Sequence, residues 1–149
     1  MKQIYLAAIT ALFLIPAPLL AQEDTALEAE ATPLIQSAGD TELSTFKWQS
    51  RIIAVFADST LDPSYNEQIS LLEARPDALL ERDVVVLSDT DPEARSPLRT
   101  ALRPRGFALV IVDKDGRVML RKPDPWDVRE ITRAIDKTPL RQQELESGR

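Results

Sequence analysis

The sequence predicts an α/β fold, a mixed sheet of about four strands with helices on both faces. Three observations carry this expectation. The apolar runs Arg51–Ala57 and Val84–Leu87 are continuous and rich in β-branched residues, the pattern of strands covered on both sides. Asp62-Pro63, Ser96-Pro97 and Asp124-Pro125 each join a capping side chain to a proline whose fixed φ suits the first turn of a helix. Asp113-Lys114-Asp115-Gly116 separates two further apolar runs and supplies the positive-φ glycine of a tight hairpin.

Taken in order, the chain opens on Lys2 and an almost wholly apolar stretch, Ile4–Leu20, followed by Ala21-Gln22. This reads as an export signal, residues 1–21, cleaved after Ala21 to release a periplasmic or secreted protein. A retained anchor is the competing reading, but Pro16 and Pro18 interrupt a run already shorter than the roughly 20 residues of a spanning helix. Residues 22–45 are acidic and poor in large apolar side chains, so a flexible leader is expected, with at most a short helix around Ala26–Gln36. Phe46 and Trp48 are expected to cap the core of a domain over residues 46–140. Residues 141–149 read as a polar tail.

Within that domain Arg51–Ala57 is the first strand. Tyr65, Ile69 and Leu72 recur at helical spacing after Pro63, and Pro76 ends that helix near Arg75. Asp77–Arg82 adds a turn, with Leu79 and Leu80 expected to pack inward. Val84–Leu87 is the second strand; a helix lies between it and the first, which makes the pair parallel with a right-handed crossover. A short helix from Pro97 buries Leu98 and Leu102. Phe107–Val112 and Arg117–Arg121 then form the hairpin. Val128, Ile131 and Ile135 stripe a last helix that Asp124-Pro125 opens, Asp127 favours through the helix dipole and Pro139 stops.

Composition narrows the chemistry. The formal charge is −6, and −7 without Lys2, so nucleic acid is not an expected partner, nor is a membrane surface after signal cleavage. The sequence holds no Cys and no His, which removes thiol redox chemistry, imidazole-based nucleophilic pairs and ordinary zinc sites. No cofactor and no resident metal is expected.

Two clusters remain as candidates. Asp58, Ser59, Thr60 and Asp62 share the loop after the first strand, and Asp89, with Asp91, follows the second strand at the same end of the sheet. They read either as a small polar binding loop able to accept a cation or as a solvated turn whose last Asp caps a helix. Ser59 or Thr60 as a nucleophile would need a lysine base that the sequence does not place there. Arg95, Arg99, Arg103 and Arg105 cluster around the second helix, the first three at i, i+4 and i+8. They read as a face for an acidic partner or as ordinary charge balance. Asp113 and Asp115 belong to turn chemistry rather than a calcium loop, because an apolar strand follows them. Trp126 reads as a core or rim anchor.

The element order is that of thioredoxin-like proteins. Phe46-x-Trp48-x-x-Arg51, Phe56-Ala57, Glu81-Arg82-Asp83-Val-Val-Val86, Gly106-Phe107, Lys114-Asp115-Gly116 and Ile135-Asp136-x-x-Pro139 together resemble the thioredoxin-like domain-of-unknown-function family numbered 4174. The resemblance covers about Phe46–Glu144 and implies a peroxiredoxin- or thioredoxin-like fold in an exported protein, related to domains of animal extracellular-matrix proteins. It brings no catalytic residues. Active thioredoxins carry Cys-x-x-Cys where Asp58–Asp62 stands and a cis-proline near Gly106-Phe107; Pro104 lies too early. The expectation is therefore an exported non-redox binding module for an envelope protein or a small ligand, its oligomeric state open. The alternative is a cofactor-independent or cation-assisted enzyme using the Asp58–Asp62 loop.

Overall fold

The computed structural model describes residues 33–148. The expected signal, its cleavage point and residues 22–32 of the expected leader lie outside the described residues. A five-stranded mixed sheet runs in the order β1-β3-β2-β4-β5, one strand more than expected. β2 (Arg51–Phe56) and β3 (Val84–Asp89) are parallel, with Ile53 opposite Val86 and Phe56 opposite Asp89. β4 (Ala108–Val112) pairs antiparallel with β2, and β5 (Val118–Lys122) with β4. The additional strand is β1 (Ile35–Ser37), which pairs in parallel with β3 and comes from residues expected as flexible leader.

The central strand explains its own unbroken apolarity. Ile53 and Val55 face a core shared with Val86, Leu109, Leu72 and Ile131, while Ile52, Ala54 and Phe56 face a second core with Leu87, Leu98 and Leu102. α1 (Pro63–Glu73), α2 (Pro76–Leu80) and α4 (Val128–Asp136) contribute to the first core. α3 (Pro97–Leu102) covers the second, beside a 3-10 turn at Leu43–Phe46. Every residue of β2 is buried.

The caps at Asp62 and Ser96 form as expected: Asp62 accepts from the Ser64 and Tyr65 N–H groups, and Ser96 from that of Arg99. Asp127, not Asp124, caps α4 by accepting from Arg129 N at 2.7 Å. The hairpin turn closes through Gly116 at φ +86°, a backbone angle that favours glycine.

Three packing expectations are corrected. Leu80 is exposed, because α2 is a single short turn whose inner side is Leu79, buried, with Ala78 packed beside it. Phe46 packs on the second core, but Trp48 is 65% exposed and stands at φ +64°. Pro139 does not close the fold; it is the first residue of a further helix, α5 (Pro139–Glu146), capped by Thr138. The expected polar tail thus holds a buried side chain, Arg141.

Candidate functional site

Parallel pairing of β2 and β3 brings Asp58 and Asp89 to one end of the sheet. What unites them is Arg99, which the sequence placed in the other cluster. Its Nη2 donates to Asp89 Oδ1 at 2.9 Å, to the Ala57 carbonyl at 2.9 Å and to the Asp89 carbonyl at 3.1 Å. Nη1 lies 3.7 Å from Asp58 Oδ1, and the guanidinium carbon stands 5.4 Å from the centroid of the Phe56 ring. Asp89 also accepts from Ser96 Oγ and from the Asp91 N–H. Burial pushes its carboxyl upward, but the bonds from Arg99, Ser96 and Asp91 reverse this and hold it below the usual carboxylate range.

The rest of the predicted loop is knitted to itself. Asp62 Oδ1 is engaged by the start of α1, Ser59 Oγ accepts from Leu61 N at 3.1 Å, and Asn66 Nδ2 donates to the carbonyls of Thr60 and Asp62. Among the described residues no group of three or more acidic side chains is placed to hold a metal ion. A shallow cavity of about 310 Å³ adjoins Ser88, Asp89, Thr90 and Ser96. Leu61, in the Asp58–Asp62 loop, is 84% exposed and does not line that cavity.

The arginines do not form one helical face at i, i+4 and i+8. α3 is only Pro97–Leu102, so Arg95 precedes the helix and Arg103 ends it, both at left-handed φ. Arg103 precedes Pro104, a position pushed out of the α region. Arg95 is exposed before α3 and Arg103 and Arg105 are exposed in the segment after it, while Arg99 turns inward.

The opposite end of the sheet holds a network that the sequence reading missed. Arg51, wholly buried, donates from both terminal nitrogens to Glu144 at 3.1 Å and to the Arg82 carbonyl at 3.0 Å. Its Nε lies 2.9 Å from Asp113 Oδ1, off the N–H axis, an ion pair rather than an aligned hydrogen bond. Lys114 Nζ reaches Glu144 at 2.8 Å and Asp83 at 2.7 Å, and Arg141 reaches Glu144 at 3.2 Å. Arg82 forks onto Asp136 with two bonds of 2.8 Å. Partners up to 93 residues apart make this network, so spacing gave no sign of it. A charged residue opening an apolar run, Arg51, was its one local signal.

Burial raises the Glu144 carboxyl, yet bonds from Lys114, Arg51 and Arg141 outweigh that and bring it down to about 2. The Arg82 fork holds Asp136 below its ordinary range, against a smaller effect of burial. Between the ordinary Glu value of 4.5 and about 2, the unfolded chain then binds the Glu144 proton and the folded chain does not. Stability is therefore full above about 4.5 and is lost as pH falls towards 2, by up to about 3 kcal/mol from Glu144. Asp89 and Asp136 act in the same direction. Urea midpoints should stay level from neutral pH down to about 5 and then fall. Glu144→Gln should flatten that fall; an unchanged slope would refute this account of the acid limb.

A family model described as Domain of unknown function (DUF4174) matches residues 42–144. The chain is similar to a reduced 2-Cys peroxiredoxin of Plasmodium vivax, at 18% identity and a TM-score of 0.50, covering 69% of this chain and 84% of that one. It is also similar to the exposed lipoprotein thioredoxin of Streptococcus pneumoniae strain TIGR4, at 15% identity and a TM-score of 0.50, covering 64% of this chain and 90% of that one. A search of curated proteins found no match. At such identities the likeness is one of fold, and the fold is thioredoxin-like.

Proposed function

The chain belongs to the DUF4174 family, and from that membership and its thioredoxin-like fold we propose that it is an exported, non-redox binding module of the cell envelope. One observation carries the reading. The loop between β2 and α1, where active thioredoxins carry their thiols, is Asp58-Ser59-Thr60-Leu61-Asp62, in a sequence without Cys or His. A thiolate is the species that attacks a disulfide, so the scaffold is kept without its reactive group.

Binding is the use that such a loop supports. Its backbone is fixed by the Asp62 cap and by Asn66, and it presents Leu61 to solvent. A rigid loop with an exposed apolar tip loses little conformational entropy on docking. Exposed Arg95, Arg103 and Arg105, before and after α3, suit a partner that carries acidic groups. The cation-assisted alternative draws less support, because the carboxylates of Asp62 and Asp89 already accept hydrogen bonds within the fold.

A photo-crosslinking residue at Leu61, in cells that make the protein naturally, should give a reproducible adduct with one envelope protein. The same residue at Glu73, the last residue of α1, should not. Recovery of the chain in the cytoplasm with residues 1–21 intact would overturn the exported part of the reading. Equal adducts at both positions, or none at Leu61, would overturn the binding part.

A further inference from the structure

Trp48 is an anomaly that the reading above leaves unused. A large aromatic residue in the left-handed region is a backbone outlier, and such outliers persist where the surrounding structure over-determines them. Here the determinants are visible. The 3-10 turn at Leu43–Phe46 delivers the chain, and Trp48 N donates to the Lys114 carbonyl at 2.6 Å. The result is a backbone position held firmly in a residue that is 65% exposed. Lys47 Nζ stands over the ring, 6.0 Å from its centroid, at the outer limit of a cation–π contact.

The indole borders a cavity of about 320 Å³ at the amino end of β2. Asp83, Lys114, Leu140, Gln143, Glu144 and Ser147 line the rest of it. Asp83 is a second left-handed residue, at φ +51°. Gln143, Glu144 and Ser147 lie at i, i+1 and i+4 on α5 and just beyond it, and the exposed Gln143 carboxamide makes no hydrogen bond among the described residues. The charges are already matched: Lys114 is shared between Asp83 and Glu144, and Glu144 is held by Arg51 and Arg141 as well. An ionic ligand of either sign would have to break these pairs. A neutral ligand with hydroxyl edges would instead add hydrogen bonds to their unused lone pairs and to the Gln143 amide.

We propose that this cavity is a saccharide site, with Trp48 as the platform for one face of a pyranose ring and Asp83, Lys114 and Gln143 as partners of its hydroxyl groups. A pyranose combines the two properties the walls ask for, an apolar C–H face and a polar, uncharged rim. The site lies at the other end of the sheet from the Asp58–Asp62 loop, and its test is independent of the partner protein.

The experiment titrates cellotetraose, maltotetraose and chitotetraose separately into the full chain. Tryptophan fluorescence and the side-chain NMR signals of Trp48 and Gln143 are followed. At least one of the three should move both sets of signals saturably, with a Kd on the order of 1 mM or tighter. Trp48→Gly accepts the positive φ without strain, so it should keep or raise the thermal midpoint while weakening binding by about tenfold or more. Trp48→Phe, which keeps an aromatic face, should retain most of the affinity. No response to any of the three sugars would overturn the proposal. So would full binding by Trp48→Gly. A response of these signals to citrate or spermidine alone would overturn it in favour of an ion site.

Discussion

Glu144→Ala is expected to lower folding stability by about 3–5 kcal/mol, the cost of leaving a buried charge without its partner. Among the described residues Glu144 is the one carboxylate that Arg51, Lys114 and Arg141 share. Its loss leaves Arg51, with no exposed surface, only Asp113 and one carbonyl. Arg51→Met should cost less, although it deletes the more deeply buried residue. Glu144 would keep Lys114 and Arg141, and Asp113 would keep the Lys114 N–H. That order, not just the size of either effect, is the content of the prediction. Urea unfolding of both variants at neutral pH checks it, with the midpoint moving and the slope unchanged. A loss below about 1 kcal/mol for Glu144→Ala would mean that α5 sits on the surface as the polar tail its sequence suggested.

That helix shows where sequence reading stops. Pro139 is one residue with two uses, a stop after α4 or a first position in α5, and the choice falls to Thr138, whose hydroxyl accepts from Arg141 N. α5 buries an arginine rather than an apolar stripe, so periodicity had nothing to register. β1 was hidden for a related reason. Ile35-Gln36-Ser37 has no pattern of its own and is a strand because β3 offers an edge, with Ile35 opposite Val86 and the Ala38 N–H reaching the Ser88 carbonyl. By contrast β2, the caps at Asp62 and Ser96 and the Gly116 turn were legible, since each is set by residues adjacent in the chain.

The candidate site divides along the same line. Asp58 and Asp89 could be placed together from two parallel strands, because a register aligning Phe56 with Asp89 puts both loops at one end. The inward turn of Arg99 depends on how α3 lies over Phe56, a tertiary fact with no spacing to betray it. The same applies at the other end, where Trp48 and Arg51 meet Asp83, Lys114 and Glu144 from four segments of the chain. Aromatic residues near a strand usually enter the core, and Trp48 is kept out by its backbone rather than by its chemistry.

Asp89→Ala is expected to cost about 3 kcal/mol, at the lower end for a broken buried pair, because Arg99 retains the carbonyls of Ala57 and Asp89. Arg99→Met should cost less than Asp89→Ala. Asp89 would keep Ser96 and the Asp91 N–H, and the methionine would still cover the Phe56 ring. If the two side chains act as one unit, the double variant should be more stable than the sum of the single losses implies, with a coupling of about 1–3 kcal/mol. Urea unfolding of the four proteins supplies the cycle. Hydrogen exchange of the Ala57 and Leu61 amides adds a local readout: both should exchange faster in Asp89→Ala, since Arg99 ties Ala57 to Asp89 and stands beside Asp58. Additive losses with unchanged exchange would show Arg99 to be an ordinary surface charge. The loop that presents Leu61 would then owe its rigidity to its own bonds, the Asp62 cap and those of Asn66 and Ser59.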